Sequence, residues 1–196
     1  MNSDEEQTVP QKGCSRFHRL ERILFQESEI SRRIAEMGAE IESDYRDEKL
    51  TVVTIMQGGA VFMADLIRQI HLPLKVDSIS VTSYYGATTS SGAVTFHQNR
   101  LPDIDGRHVL IVDDILDTGR TLGAIRKRLA AECSALSLKV AVLLEKRVER
   151  VEMMDADYRG FEVENEFVVG YGLDYQGEYR NLPVIGVLKS EFVRPS

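Results

Sequence analysis

Three segments of the chain carry nearly continuous apolar runs of strand length: Leu50–Met56, His108–Val112 and Leu138–Leu144. Runs of this kind, rich in β-branched residues and without a polar face, are typical of strands buried on both sides of a parallel sheet. Further strands are predicted at Val76–Tyr85, at Glu166–Tyr171 and, as a short edge piece, at Val94–His97. The pattern therefore predicts a sheet with several buried central strands.

Segments with helical periodicity lie between these strands. Apolar residues recur at helical spacing between about Ser28 and Asp44, where Ser28 is the expected N-cap, and again in the segment Ala60–Ile70. A third helix is predicted after Gly119, with an apolar face of Leu122, Ile125 and Leu129. Alternation of strands and helices predicts an α/β fold, with a central, mostly parallel, twisted sheet flanked by helices.

Length and composition place the chain among single-domain globular proteins. Its 196 residues, 43% of them hydrophobic and 28% charged, suffice for one core. We expect residues 1–14 to form a flexible tail and residues 15–196 to form the domain. Two cysteines without metal-ligand spacing, and no apolar run of about 18 residues, favour a cytoplasmic location without a membrane partner. The net charge of -7 opposes attraction to nucleic acid.

The segment Val109–Thr121 carries most of the chemical information. Its apolar strand runs into Asp113, Asp114 and Asp117, and ligands of open α/β sheets bind at such strand ends. The Thr118–Thr121 segment opens a helix, whose N-terminal amides and dipole suit a phosphate group. Carboxylates beside a phosphate need another partner, and a sugar diol offers two hydrogen-bond donors. The segment therefore indicates a ribose 5-phosphate site.

Three other interpretations fit this segment less well. A solvated acidic edge does not explain an apolar strand that leads into Asp-Asp-x-x-Asp-Thr-Gly. In receiver domains a Val-Asp-Asp strand end comes early in the chain, whereas here it lies past the midpoint. The GxxxxGK[ST] and GxGxxG patterns of Walker and dinucleotide sites are both missing from the sequence.

At this point the sequence resembles a known family. Residues Val112–Thr121 are similar to the diphosphoribosyl-binding signature of type I phosphoribosyltransferases. The motifs in the second half resemble those of hypoxanthine(-guanine) phosphoribosyltransferases, particularly the bacterial form: Leu144–Arg147, Asp157–Glu162, Phe167–Tyr175 and Tyr179–Leu182. The likeness extends from about Phe17 to Phe192, and it implies a small hood subdomain built from the two chain ends.

The resemblance implies purine salvage: 5-phosphoribosyl 1-diphosphate and hypoxanthine, or guanine, give IMP or GMP and pyrophosphate. It implies that Asp113 and Asp114 hold the ribose hydroxyls, and that Asp117 is the general base at purine N7. Thr118, Gly119, Arg120 and Thr121 would bind the 5′-phosphate. The family often has glutamate at the position of Asp113, so the shorter carboxylate here is a departure.

The same resemblance assigns residues to the base and to the metal. Lys146 would donate to the 6-oxo group, which disfavours adenine because an ammonium group cannot accept a hydrogen bond. Phe167 would stack on the base, and Val168 would offer backbone contacts. The implied cofactor is Mg²⁺, reached by Asp174 and by the Asp113–Asp114 pair.

Three further segments follow from the likeness. Arg180 would bind pyrophosphate. Gly58 and Gly59 would bind it too, from a loop that begins with a non-proline cis peptide between Met56 and Gln57. Many relatives carry a basic residue in place of Gln57. Ser83 and Tyr84, with the loop Gly86–Gly92, resemble a lid that closes over the site.

Two alternatives stay open from the sequence. One is a non-catalytic sensor on the same fold, which the acidic charge and the complete base pocket disfavour. The other is a sister enzyme for xanthine, because the environment of Glu166 does not reveal the preference at C2. The partners expected are small molecules and, from the resemblance, further copies of the chain in a homodimer or homotetramer.

Overall fold

The computed structural model describes residues 17–83, 94–97 and 100–193. The predicted tail, residues 1–14, and the predicted lid residues Tyr84 and Gly86–Gly92 lie outside these ranges. Within them, no helix is long and apolar enough to cross a lipid bilayer.

The elements alternate in the order β1-α1-β2-α2-β3-β4-β5-α3-β6-β7-β8-β9 in the described ranges. The helices are α1 Glu27–Asp44, α2 Gly59–Leu66, which continues into a 3₁₀ turn at Ile67–Gln69, and α3 Arg120–Glu132. The strands are β1 Leu20–Phe25, β2 Leu50–Met56, β3 Leu74–Ser83, β4 Val94–Phe96, β5 His108–Leu116, β6 Ser137–Lys146, β7 Tyr158–Val163, β8 Val168–Val169 and β9 Ile185–Leu188.

Six strands form the central sheet, in the order β4-β3-β2-β5-β6-β7. All neighbours are parallel except β4, which pairs antiparallel with β3 at the edge. The chain leaves β2 toward one edge and returns through β5 toward the other, so the order reverses between β2 and β5. Ligands of open α/β sheets bind at such a switch point, beyond the carboxyl ends of the strands.

The strand residues are buried on both faces of this sheet, as the continuous apolar runs predict. Val52, Leu110 and Val112 face the helices α1 and α2 in one apolar cluster. On the opposite face, Val53 and Ile111 lie with α3 in a second cluster. Because both faces are covered by helices, the central strands are held in place, and they fix the points from which the loops at their carboxyl ends start.

A second, three-stranded sheet has the order β1-β9-β8, with antiparallel pairing throughout. It combines the first described strand with the last one, and we call it the hood, as the family resemblance implies. Phe25 of β1 stacks on Phe161 of β7 with 4.0 Å between ring centroids, and the Tyr171 hydroxyl donates to Asp65 of α2. These contacts fix the hood above one face of the central sheet.

The predicted α/β class is confirmed, and four details of the prediction are wrong. Gln26, not Ser28, is the N-cap of α1, and its backbone N–H donates to Glu29 Oε2 at 2.8 Å. The strand β5 continues past Val112 to Leu116 and so contains Asp113 and Asp114. The predicted strand Glu166–Tyr171 shrinks to Val168–Val169, which lies in the hood. β1, β7 and β9 were not predicted.

Candidate active site

The acidic pair lies at the switch point between β2 and β5. Asp113 and Asp114 are only 8% and 9% exposed, and the Asp114 backbone N–H donates to Asp113 Oδ1 at 3.0 Å. Burial, followed by repulsion from Asp114, raises the pKa of Asp113 well above its usual range. Burial likewise raises the pKa of Asp114, although Arg180 opposes that shift. Buried acceptors of this kind are suited to a diol or a cation.

Two glycines bring the β2 loop against these carboxylates. A Cβ atom on Gly58 would collide with the Asp114 carboxylate, and one on Gly59 would lie 2.9 Å from the Val112 carbonyl oxygen. The peptide bond between Met56 and Gln57 is cis, as the resemblance implies. The sequence Gly58-Gly59 therefore allows the predicted pyrophosphate loop to touch β5 directly.

The predicted phosphate loop follows β5. Gly119 has φ +80 and immediately precedes Arg120, the first residue of α3, so the amides at the start of that helix open toward the loop. A cavity of about 540 Å³ lies in front of it. The cavity is lined by Asp113, Asp114, Ile115, Leu116, Asp117, Thr118, Gly119, Arg120, Thr121, Leu122, Phe167, Leu173 and Asp174.

Lys146 and Asp117 come together because β5 and β6 are parallel neighbours. In their register Leu116 is opposite Glu145, so the next residue of each strand lies beside the other at the carboxyl edge. Lys146 Nζ is 3.5 Å from Asp117 Oδ2, and the lysine side chain is only 15% exposed. Lys146 is therefore a partly buried cation beside the predicted general base and is not a surface lysine.

The hood supplies the aromatic wall. Phe167 is 42% exposed, and its ring lies edge-on to Tyr175 with 5.3 Å between centroids. Val168, the next residue, is buried in β8, whose backbone pairs with β9. A large exposed ring on a rigid strand end, facing a cavity, is suited to stacking against a flat ligand.

The predicted metal residue and the predicted pyrophosphate residue form an ion pair with each other. Arg180 Nη2 is 2.7 Å from Asp174 Oδ1, and the backbone N–H of Gly177 donates to Asp174 Oδ2 at 2.7 Å. Arg180 also donates to the Gly172 carbonyl oxygen. The neighbouring Glu178 lies 3.9 Å from Arg19.

Some site features were missed by sequence reasoning. Leu173 lines the cavity, and Glu166 binds Arg22 of β1 at 2.5 Å, which ties it to the hood. Arg150 donates to the Asp117 carbonyl oxygen from behind the loop. Ser83, by contrast, was predicted as a lid residue and is the last residue of β3, whereas its predicted neighbour Tyr84 lies outside the described residues. No sequence signal marks the contacts of Glu166 and Arg150, since each contact joins residues far apart in the chain.

Comparison with known proteins agrees with this geometry. A family model described as "Phosphoribosyl transferase domain" matches residues 23–176. The hypoxanthine-guanine phosphoribosyltransferase of Streptococcus pneumoniae is 45% identical over 172 residues, which are 88% of this chain and 95% of that protein. A hypoxanthine phosphoribosyltransferase crystal structure from Staphylococcus aureus has a TM-score of 0.85 at 41% identity, covering 90% of this chain and 96% of the other.

A third similar structure is that of a hypoxanthine-guanine-xanthine phosphoribosyltransferase. Its TM-score is 0.78 at 36% identity, and the match covers 87% of this chain and 98% of that one.

Proposed function

This chain belongs to the phosphoribosyl transferase family, and we propose that it transfers the 5-phosphoribosyl group of 5-phosphoribosyl 1-diphosphate to hypoxanthine and guanine. The observation that carries the proposal is one cavity lined by an acidic pair, a helix N-terminus and an aromatic ring. Each of the three matches one part of a nucleotide: ribose, 5′-phosphate and base. The products are IMP or GMP and pyrophosphate.

The sugar phosphate is proposed to bind at the β5–α3 junction. Asp113 and Asp114 accept hydrogen bonds from the ribose hydroxyls. These bonds are favourable because the two carboxylates are buried, and a buried polar group without a hydrogen bond is costly. The 5′-phosphate binds the loop Thr118–Thr121, where the amides and the dipole of α3 favour an anion. Gly119 adopts a positive φ, which glycine tolerates because it has no Cβ. The missing side chain also lets the phosphate approach the backbone closely.

The base is proposed to lie against Phe167, with its 6-oxo group toward Lys146. The ammonium group donates to a carbonyl oxygen, whereas adenine would present an amino group and leave the partly buried donor unpaired. Val168 offers its backbone to the edge of the base. The lysine position thus selects 6-oxopurines.

Asp117 is proposed to accept the proton from purine N7. Loss of that proton makes N9 more nucleophilic, so N9 forms its bond to C1′ as the bond from C1′ to the pyrophosphate oxygen breaks. Lys146 Nζ lies 3.5 Å from Asp117 Oδ2, so the proposed base and the proposed 6-oxo donor are already side by side before the purine arrives. Arg180 then neutralises charge on the departing pyrophosphate.

The donor set fits Mg²⁺. Asp113, Asp114 and Asp174 line the same cavity and could each offer the hard oxygen atoms that Mg²⁺ prefers. Within the described ranges they do not form a cluster of three ligands, so substrate oxygens would have to complete the coordination. A cation held by few carboxylates and by substrate oxygens suits this arrangement. When bound, Mg²⁺ supplies positive charge that offsets the negative charge of the leaving pyrophosphate.

Xanthine is a second candidate base. One similar structure is that of a hypoxanthine-guanine-xanthine enzyme. In this chain Glu166 is paired with Arg22 of β1. We keep xanthine as an alternative substrate and expect hypoxanthine to be preferred.

The test is an absorbance assay with 5-phosphoribosyl 1-diphosphate and each of hypoxanthine, guanine, xanthine and adenine, with and without Mg²⁺. We expect IMP to form from hypoxanthine, turnover to stop when EDTA removes the metal, and adenine to stay unchanged. Tight binding of 5-phosphoribosyl 1-diphosphate without turnover of any base would refute the enzyme and favour the sensor. Light scattering after size exclusion tests the proposed homodimer or homotetramer.

A further inference from the structure

Arg150 lies behind the loop that joins β5 to α3, on the side away from the cavity. Its Nη1 donates to the Leu116 carbonyl oxygen at 3.0 Å and also to the Asp117 carbonyl oxygen. One guanidinium therefore holds two consecutive carbonyl groups. Hydrogen bonds from a charged donor are stronger than those between neutral groups, so the orientation of these peptide groups is well determined.

The guanidinium is itself held in place. Its Nη2 is 2.6 Å from Glu145 Oε1, and the two side chains are only 14% and 9% exposed. Glu145 Oε2 also accepts from Arg159 at 3.2 Å. A buried carboxylate between two arginines restricts Arg150 to one geometry, because moving it would leave Glu145 poorly compensated.

The next carbonyl of the loop is held from the same side. The backbone N–H groups of Val151 and Glu152 donate to the Thr118 carbonyl oxygen at 3.0 and 3.2 Å. Gly119 packs against the same segment, since a Cβ atom there would lie 2.7 Å from the Glu152 carbonyl oxygen. Residues Arg150–Glu152 thus bind three consecutive carbonyl groups, those of Leu116, Asp117 and Thr118.

The direction of these carbonyls sets the direction of the neighbouring amides. In a trans peptide the C=O and the following N–H point to opposite sides, and the cis bond described in this chain lies elsewhere, at Met56–Gln57. Holding the Asp117 and Thr118 carbonyls outward therefore turns the N–H groups of Thr118 and Gly119 inward. These residues line the cavity, where the 5′-phosphate is proposed to bind.

We propose that Arg150 is a positioning residue, which orients the amide donors of the 5′-phosphate loop from behind through the Leu116 and Asp117 carbonyls. The inference rests on the proposed function, because it needs a phosphate in that loop. Arg150 is not among the residues that line the cavity, so it acts through the loop and not on a ligand directly. Its effect is therefore specific to ligands that carry the 5′-phosphate.

The test compares IMP with inosine, which lacks only the phosphate. Dissociation constants for both are measured by calorimetry for the wild type, Arg150→Met and Arg150→Lys. The matched control is Arg147→Met, which removes an exposed arginine that pairs with Glu162 and Glu164. A role limited to stability would lower the melting temperature and leave the ratio of the two constants unchanged.

We expect Arg150→Met to weaken IMP binding by about tenfold or more, and inosine binding by less than about twofold, because charged donors to two carbonyls are lost. Arg150→Lys keeps the positive charge but not the planar pair of donors, so its affinity for IMP should lie between those of the wild type and Arg150→Met. If Arg150→Met does not fold, the Lys variant decides alone. Methylguanidinium should restore part of the IMP affinity of a folded Arg150→Met protein.

Two results would overturn the inference, and they differ from failure of the proposed function. A wild type that prefers IMP to inosine, with the same ratio in both Arg150 variants, refutes the role of Arg150 alone. The ratio stays the same either when both affinities are unchanged or when both are equally weakened, and each of these results refutes that role. A wild type that binds IMP no better than inosine refutes the phosphate loop itself, and the proposed function with it.

Discussion

At the scale of single residues, the account depends on Asp117. Its carboxylate lines the cavity and lies 3.5 Å from Lys146. Asp117→Asn keeps the shape but cannot take a proton, so we expect turnover to fall about 10²–10⁴-fold. Affinity for 5-phosphoribosyl 1-diphosphate should stay nearly unchanged in equilibrium titrations. Near-normal turnover would exclude Asp117 as the base. The control is Asp103→Asn, which changes an aspartate in an exposed ion pair with Lys75.

Lys146 carries the selection of the base. Lys146→Met removes the donor to the 6-oxo group while keeping a long apolar side chain, so kcat/KM for hypoxanthine should fall about ten- to hundredfold. Steady-state kinetics measure this, with Lys75→Met at an exposed position as the matched control. An unchanged kcat/KM in Lys146→Met would show that the 6-oxo group does not contact this lysine.

At the scale of elements, the junction between β5 and α3 depends on Gly119. In Gly119→Ala the new Cβ would lie 2.7 Å from the Glu152 carbonyl oxygen, whereas in Gly106→Ala it would meet nothing within 4 Å. Both glycines have positive φ, so each variant should lose about 1–2 kcal/mol of stability in urea titrations, and Gly119→Ala should lose more because the Glu152 backbone must also shift. Only Gly119→Ala should also weaken binding of 5-phosphoribosyl 1-diphosphate. Equal binding by the two variants would contradict the proposed phosphate loop.

A polar contact joins α1 to the far edge of the central sheet. The Tyr158 hydroxyl donates to Asp44 Oδ2 at 2.5 Å, and this bond, helped by Lys139, holds the pKa of Asp44 below its usual value. A lowered folded pKa means that the stabilisation is present above the unfolded pKa and is lost as pH falls through the folded one.

Tyr158→Phe should therefore lower the free energy of unfolding at pH 7 by about 0.5–1 kcal/mol. The value lies at the lower end of what such a hydrogen bond contributes, because Asp44 is half exposed and solvent weakens the interaction. The difference from the wild type should begin to shrink below about pH 4, where Asp44 of the unfolded chain becomes protonated, and should vanish as pH falls through the lowered pKa of folded Asp44. Urea titrations at several pH values measure it. A difference that stays constant down to pH 3 would mean that the bond to Asp44 does not stabilise the fold.

The elements differ in how far their sequence reveals them. β2 was predicted with its correct bounds, since Leu50–Met56 is mostly apolar, rich in β-branched residues, and followed by Gln57 and two glycines. β1 and β7 were missed because each has only its first and one later residue well buried, which gives neither alternation nor a continuous run. The pairing of β1 with β9 joins the chain ends, and no local pattern contains it.

At the scale of the whole molecule, the site assembles from segments that the chain order separates. The acidic pair and the phosphate loop were predicted because they are contiguous in Asp113–Thr121. The ion pair between Asp174 and Arg180 was not predicted, because it depends on the turn at Gly177. Arg150 escaped notice for a related reason: its side chain binds backbone atoms, which leave no trace in a sequence pattern.

The central claim is that this fold joins a 6-oxopurine to ribose 5-phosphate and rejects adenine. The most direct measurement is a competition in one reaction, with equal concentrations of hypoxanthine and adenine, limiting 5-phosphoribosyl 1-diphosphate and Mg²⁺, and chromatographic separation of the products. The account predicts IMP without detectable AMP. A product mixture containing substantial AMP would contradict the role of Lys146, and no nucleotide at all would contradict the proposed activity.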